Sequence, residues 1–358
     1  MIRMYIPFPL ISYYGSAVRP LEQIRGLLKI HFPLEIYTTY IDNESRKFIE
    51  THTETKLINI GKIFDMKLTP RRVVYELIEE FLSLKNLSFI KNRYTYLHFS
   101  YKFFTLYLKR NILLSSTSNT IVDIHGVTTY EVSGAPQKLM KYIEGFLKKA
   151  NGIVVSNISV GYVLSKEFGI NNYFIFPDLV DIEYHIGISD YNPLTSFDSN
   201  TFNICYAGSL TQEQNTEEMM NVVTSVLREC NFCKFILIAG YGKPTQLKNV
   251  KDYNRKIHFI QQIPYTQIHK ILSECNLFIT LKKSIIQSNQ KLILYSIFGR
   301  PVVAYDSLTN RYLKEVYDFP NVFLVKENIG ELVFKIITNY NKYTVNDYGN
   351  FVKNYKRR

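Results

Sequence analysis

Three lysines, Lys282, Lys283 and Lys291, flank a short polar loop at residues 284–289. A helix is expected directly after that loop, so its free backbone amides and the lysine charges together favour an anion. Lys291 would stand in the helix's first turn, where a cation opposes the helix dipole by a few tenths of a kcal/mol to about 1 kcal/mol. A bound anion would offset that cost; the alternative is a solvated lysine at a helix edge. His125 follows an apolar run at 120–124 and precedes Gly126, which puts it at the C-terminal edge of a strand, where ligands of parallel sheets collect. His98 takes a similar place after Tyr96-Leu97 without the glycine. Either imidazole could instead be satisfied by local backbone groups. Cys230 and Cys233 form a Cys-x-x-Cys, but no second pair or nearby histidine pair completes a zinc site, and the spacing ends a helix rather than opening one. They are expected to be two ordinary thiols.

The elements that must position these residues alternate along the chain. Residues 290–304 read as a buried helix, a turn at Gly299 and a buried strand. Further strands are expected at 4–7, 34–40, 94–99, 120–124, 152–156, 173–176, 202–207, 234–239, 257–260 and 277–280. Helices fit between them at 21–29, 136–149, 159–167, 217–229 and 265–273. Short apolar strands alternating with amphipathic helices mean α/β, with parallel sheets wrapped by helices. From 185 to 201 the pattern dissolves into Gly, Ser, Asp, Asn and Pro and then restarts. That places an N-terminal domain at 1–185, a linker at 186–201, a C-terminal domain at 202–331 and a last stretch, 332–358, expected to cross back as a helix. Two doubly wound, Rossmann-like domains facing across a cleft would share one site beyond their strand ends.

Bulk properties agree with two globular domains: 358 residues, 46% hydrophobic, and a net charge of +12 that both halves share. Neither half is a basic arm. The N-terminus is interrupted by Pro7 and Pro9 and has no small-residue cleavage site, so no signal peptide is expected, and no apolar run approaches the roughly 20 residues of a membrane span. Four cysteines in a chain this long fit a reducing cytoplasm. Residues 81–122 contain no acid, six basic residues from Lys85 to Arg110, and aromatics such as Phe89, Tyr94, Phe103 and Tyr107. That composition suits peripheral contact with an anionic membrane, against ordinary half-buried elements as the alternative. It carries no RNA-binding consensus, and no nucleic-acid partner is expected.

Several runs in fixed order make the chain resemble the GT-B glycosyltransferases, specifically the retaining family 4. In the second half these are Tyr206-Ala207-Gly208-Ser209-Leu210, Leu237-Ile238-Ala239-Gly240-Tyr241-Gly242, Ile263-Pro264-Tyr265 and the 291–304 segment. In the first they are Asp123-Ile124-His125-Gly126 with Glu131, Gly152-Ile153-Val154-Val155-Ser156 and Pro177-Asp178-Leu179-Val180-Asp181. The resemblance implies transfer of a hexose from a nucleoside-diphosphate sugar, with retention of configuration, to a glycan or lipid-linked glycan in surface polysaccharide assembly. No metal or other cofactor is implied. His125 would sit by the transferred sugar, with His98 and Glu131 on the acceptor side. The donor would be held by Gly15, Ser16, Gly208, Ser209, Gly240, Tyr241, Pro264, Lys283, Ser288, Asn289, Lys291 and the position of Leu294.

The chain departs from that family where the donor is gripped. Ser209 stands where the family has an arginine, Gln214 where it has a lysine, and Ile286 and Leu294 where it has glutamates. Leucine accepts no hydrogen bond from a ribose, a loss of roughly 1.5–3 kcal/mol or about ten- to a hundredfold in affinity. Lys282, Lys283 and Lys291 are positioned in sequence to supply substitute charge. A second reading explains the same substitutions as a GT-B domain without chemistry, acting as a partner subunit of an active transferase. Nucleotide base, sugar, acceptor and oligomeric state are left open by the sequence.

Overall fold

Parallel strands with helical crossovers build both halves of the chain. The computed structural model describes residues 2–6, 10, 15–38, 41–51, 55–59, 95–99, 119–125, 137–182, 201–210, 214–240, 255–261, 263, 265–283, 289–345 and 353. The chain separates into two compact units between Pro177 and Asp178.

The first unit runs β1 (Ile2–Ile6), α1 (Gly15–Lys29), β2 (Leu34–Thr38), α2 (Asn43–Glu50), β3 (Thr55–Asn59), β4 (Thr95–Phe99), β5 (Thr120–Ile124), α3 (Gln137–Leu147), β6 (Gly152–Val155), α4 (Ile158–Phe168) and β7 (Phe174–Ile175). Among the described residues its sheet has seven parallel strands in the order β3-β2-β1-β4-β5-β6-β7. Two apolar cores cover its faces. One gathers Val122, Ile124, Phe146, Val155, Val160 and Leu164; the other gathers Met4, Ile6, Ile24, Leu28, Leu34 and Ile36. Local chemistry sets the helix ends. Asn157 caps α4 by accepting from the N–H groups of Ser159 (2.9 Å) and Val160 (3.1 Å), and Gly169 closes it in the left-handed conformation.

The second unit runs β8 (Phe202–Gly208), α5 (Thr216–Glu229), β9 (Cys233–Ala239), β10 (Ile257–Gln261), α6 (Tyr265–Leu272), β11 (Leu277–Thr280), α7 (Gln290–Ser296), β12 (Val302–Tyr305), α8 (Leu308–Tyr317), β13 (Val322–Val325) and α9 (Ile329–Thr338). Its described strands are ordered β10-β9-β8-β11-β12-β13, all parallel. All four residues of β11 are buried, as expected of a central strand covered on both faces. In both sheets the chain reverses direction beside the first strand, between β1 and β4 and between β8 and β11. The crevice beyond the strand ends at such a reversal is where open α/β sheets bind ligands.

Most expected elements are present, with several additions. Helix α1 starts at Gly15 rather than at 21 and carries Pro20 inside it, near the N-terminus where proline removes one intrahelical bond. The edge strands β3 and β13 and helices α2 and α8 were not anticipated, while α9 overlaps the start of the helix expected at 332–358. Segment 178–182 groups with the second unit: Tyr317 Oη donates to the carbonyl of Asp178 (2.9 Å) and Gln290 Nε2 to that of Leu179 (3.0 Å). The expected linker at 186–201 lies outside the described residues except for residue 201. The stretch expected to cross back to the first domain begins within α9, whose Val333, Ile336 and Ile337 belong to the second unit's core.

One cysteine expectation is corrected. Cys230 and Cys233 are joined in a disulfide, with Cα atoms 5.4 Å apart. Helix α5 ends at Glu229 and β9 begins at Cys233, so the tight turn at 231–232 brings the two side chains within the span a disulfide requires. Cys205 and Cys275 are free and buried.

Candidate functional site

Each unit carries one polar cluster at the C-terminal ends of its strands. In the first unit Asp123 is the hub. It is the one acid of β5, an otherwise apolar central strand, and it is wholly buried. Burial alone would raise its pKa, yet the carboxyl is held well below the usual carboxylate range by the Arg19 guanidinium and by hydrogen bonding and charge from His125. Arg19 on α1 donates to both carboxylate oxygens, at 3.0 and 3.2 Å, and its Nη2 also reaches the carbonyl of Phe176 at 2.9 Å. Gln23, one turn on, donates to Oδ2 at 2.9 Å, and the hydroxyl of Tyr96 on β4 does the same at 2.9 Å. Burial and the nearby carboxylate both push the Tyr96 phenol upward, which keeps it a donor.

Two histidines meet above this ion pair. His98 Nδ1 lies 2.9 Å from His125 Nε2, and Asp123 Oδ2 lies 3.7 and 3.6 Å from these two nitrogens. The rings are edge-to-face, with centroids 5.0 Å apart. Neighbouring strands set this up: β4 and β5 pair in register His98 to Asp123, and His125 follows the end of β5. Ser156, after β6, donates to the His125 carbonyl at 3.1 Å and pins the chain where β5 ends. His98 is completely buried and its pKa falls well below the ordinary histidine value, chiefly through loss of hydration. It is therefore neutral near pH 7 and shares a single hydrogen bond with His125, whose side chain keeps 24% of its surface exposed. The ligand atoms of His98, Asp123 and His125 lie within 4.8 Å of one another, close enough for a metal ion. Arg19, Gln23 and Tyr96 already occupy both carboxylate oxygens, however, and the guanidinium would repel a cation.

The second cluster surrounds Gly208 at the end of β8. Lys291, in the first turn of α7, reaches back to donate to the hydroxyl of Tyr206 (3.0 Å) and to the side-chain carbonyl of Gln214, with its ammonium 4.5 Å from the Tyr206 ring centroid. A Cβ at Gly208 would stand 2.7 Å from Lys291 Nζ and 3.1 Å from Tyr206 Oη, so any larger residue would push the lysine's end aside. The strand end is held from two sides. Tyr295 Oη accepts the N–H of Ala207 (2.7 Å) and donates to its carbonyl (2.9 Å), while Tyr206 Oη donates to the carbonyl of Ser209 (2.8 Å). Tyr295 itself is clamped by stacking on Phe278, with ring centroids 4.7 Å apart. Gly240, just past β9, donates its N–H to the Gly208 carbonyl at 3.3 Å, which brings the two glycine turns together.

Among the described residues this cluster is electrostatically unbalanced. The Lys291 pKa is driven well below its ordinary value, first by burial and then by the like charge of Lys282. Lys283 points elsewhere, to an ion pair with Glu218 on α5 at 2.6 Å. Asn289 is occupied as well: it accepts from Thr280 Oγ1 at 3.3 Å and donates to Asn310 Oδ1 at 3.0 Å, fixing the residue that precedes α7. Helix α7 has only seven residues, and Asn289 makes no side-chain cap to it. The lysine, rather than the helix dipole, is the cluster's source of positive charge.

The candidate residues thus fall into groups. His98 and His125 meet in the first unit; Gly208, Ser209, Gly240 and Lys291 meet at the end of β8 in the second, while Asn289 is held between Thr280 and Asn310. Gly15 and Ser16 open α1. Leu294 is buried, with 3% of its surface exposed, so it is a packing position of α7. Lys283 faces its ion pair. Glu131, Tyr241, Pro264 and Ser288 lie outside the described residues, as does most of 81–122. Sequence reading missed Arg19, Gln23 and Tyr96, and it missed that Gln214 meets Lys291. Only the burial of an acid in an apolar strand, at Asp123, signalled that cationic and hydroxyl partners must exist elsewhere.

The whole architecture has counterparts among solved structures. Sucrose-phosphate synthase from Thermosynechococcus elongatus superposes with a TM-score of 0.71 at 12% identity, over 99% of this chain and 94% of that one. Anabaena HepE, solved in complex with UDP and glucose, gives 0.64 at 11% identity over 99% and 97%. WaaG, a glycosyltransferase involved in lipopolysaccharide biosynthesis, gives 0.66 at 8% identity over 100% and 94%. The fold is GT-B. No protein-family model and no curated protein matches the sequence, so the likeness is one of fold. Within the GT-B frame, the Asp123–His125 cluster belongs to the N-terminal Rossmann-like unit and the Gly208–Lys291 cluster to the C-terminal one.

Proposed function

We propose that the protein is a glycosyltransferase that moves a hexose, with retention of configuration, from a nucleoside-diphosphate sugar to a glycan or lipid-linked glycan in surface polysaccharide assembly. The observation that carries this reading is Lys291. Its ammonium is placed over a glycine turn, at the point where the strand order of a doubly wound sheet reverses, with only neutral hydrogen-bond partners among the described residues. A diphosphate supplies the missing negative charge, and the cation and nearby backbone N–H groups would stabilise it more strongly as it leaves than while it is bonded to the sugar. No metal is needed in this account, because the protein provides the charge.

His125 has the complementary task of holding the sugar's hydroxyls. Its ring is oriented by His98 and Asp123 and remains partly exposed. The GT-B proteins with the same fold support the substrate class: HepE was solved with UDP and glucose, and WaaG is involved in lipopolysaccharide biosynthesis. Among the described residues no helix is long and apolar enough to cross a membrane, and a peripheral, cytoplasmic enzyme is the arrangement we propose.

Calorimetric titration with a panel of nucleoside-diphosphate sugars, followed by product analysis with glycan acceptors, tests the reading. We expect binding of at least one donor and transfer or slow hydrolysis of its sugar. Absence of binding at millimolar donor would overturn it. Binding without transfer or hydrolysis would favour the partner-subunit reading.

A further inference from the structure

The Cys230–Cys233 disulfide lies at the opposite end of β9 from the Gly208 cluster, and it ties the C-terminus of α5 to the start of that strand. In the cytoplasm proposed above disulfides are uncommon, and those that form are usually transient or redox-sensing. Both cysteines belong to the second unit's apolar core, 3% and 0% exposed, so each thiol, once reduced, is a small apolar group in a fitting place. The turn between them does not depend on the S–S bond alone. The N–H of Phe202 donates to the Phe232 carbonyl at 2.9 Å, and Lys256 Nζ donates to the carbonyls of Leu227 (2.8 Å) and Cys230 (3.0 Å). These contacts keep the two residues close when the bond is open. Lys256 also removes an obstacle to chemistry here, because a thiolate at a helix C-terminus is opposed by the dipole and an ammonium on the last carbonyls offsets it. Asn231 and Phe232, the latter 54% exposed, bring the turn to the surface.

We propose that Cys230 and Cys233 form a reversible dithiol–disulfide site whose state sets how firmly the last turn of α5 is held to β9. Reduction by an external dithiol begins with its thiolate attacking the sulfur of Cys230, the less buried of the two. The S–S bond breaks and Cys233 departs as a thiolate and takes up a proton. The second thiolate of the dithiol then attacks the mixed disulfide and releases Cys230, which is protonated in turn. Two electrons and two protons pass to the pair, and the dithiol ends as a disulfide. Oxidation by glutathione disulfide runs the other way, with Cys230 capturing one glutathione and releasing the other as a thiol, and Cys233 then displacing the captured one as a second thiol.

The test cycles the full chain between excess dithiothreitol and excess glutathione disulfide, reading the pair by thiol alkylation and mass spectrometry, the fold by circular dichroism and the last turn of α5 by hydrogen exchange. The chain should stay folded in both states. Opening a cross-link over so short a loop should lower the melting temperature of the second unit by about 4–8 °C and speed exchange of the amides at 226–230 by about tenfold, both reversed on reoxidation. The double variant Cys230→Ala with Cys233→Ala should behave as the reduced protein in either buffer. Glutathione should remain on Cys230 in Cys233→Ala, while Cys230→Ala should take up little. Loss of the fold on reduction would overturn the proposal, since the bond would then be purely structural. So would a pair that stays oxidised in dithiothreitol until urea is added, or a reduced protein that melts and exchanges as the oxidised one does. Glutathione held on Cys233 of Cys230→Ala and absent from Cys230 of Cys233→Ala would overturn the order of attack. None of these readouts uses a nucleotide, so their outcome is independent of the glycosyltransferase reading.

Discussion

The two polar clusters lie at equivalent places in two sheets of nearly the same topology, yet they treat buried charge in opposite ways. In the first unit Asp123 and Arg19 neutralise each other, and Gln23, Tyr96, His98 and His125 are arranged around them. In the second unit Lys291 has neutral partners and a like-charged neighbour. The charges of the first cluster balance one another without a ligand. Among the described residues the second has no acid to balance its lysine.

The largest effect should come from breaking the balanced cluster. Asp123→Ala leaves the Arg19 guanidinium, 4% exposed, without its carboxylate, and should destabilise the protein by about 3–5 kcal/mol in urea unfolding. A cost below about 1 kcal/mol would show that the buried pair is not what holds the first unit's site. Next, Tyr295→Phe removes the hydroxyl that both accepts from and donates to Ala207, at a cost of roughly 1–3 kcal/mol, and should weaken UDP binding by displacing Gly208. Unchanged stability and affinity would mean that the end of β8 is held by other contacts.

The unbalanced cluster should respond with the opposite sign. Lys291→Met removes a poorly hydrated cation, so the ligand-free protein should be as stable as wild type or up to about 1 kcal/mol more stable, while losing UDP binding. A clear loss of ligand-free stability would place Lys291 in the same class as Arg19.

The smallest effect, and the sharpest contrast, is in pH dependence. The folded pKa of Lys291 lies below its unfolded value of about 10.4, so the unfolded state binds more protons between those values and stability rises with pH across that window. Melting temperatures of wild type and Lys291→Met measured across it should converge as pH increases, and saturating UDP should flatten the wild-type curve. His98, whose folded pKa is likewise lowered, gives a second window: stability should fall as pH drops below about 6.5, where the unfolded imidazole takes up a proton. Asp123 titrates far lower, so its contribution is present throughout both windows. A His98→Asn variant that kept the wild-type slope below pH 6.5 would contradict the second assignment.

Much of the frame could be read from sequence because central parallel strands leave a plain signal. Phe202–Gly208, Cys233–Ala239 and Leu277–Thr280 are short, apolar and followed by polar turns. The edge strand Thr55–Asn59 was missed because its polar residues erase that signal, and α8 because its buried face carries Thr309 and Asn310 beside Leu313. His125, Gly208 and Lys291 were legible since each is marked by its position at a strand or helix end. Their partners were not: Arg19 meets Asp123 across 104 residues and Lys291 meets Gln214 across 77, and no local pattern encodes such pairings. Leu294 shows the reverse. The family motif puts a glutamate at this donor-side position, and here a leucine stands there, buried within α7.

The most direct test of the central claim is the UDP-induced shift in melting temperature of wild type compared with that of Lys291→Met. The account predicts a clear upward shift for wild type and little or none for the variant, with the ligand-free variant melting at or above wild type. Equal shifts in the two proteins would contradict it, because the anion would then be held by something other than the unbalanced cation above Gly208.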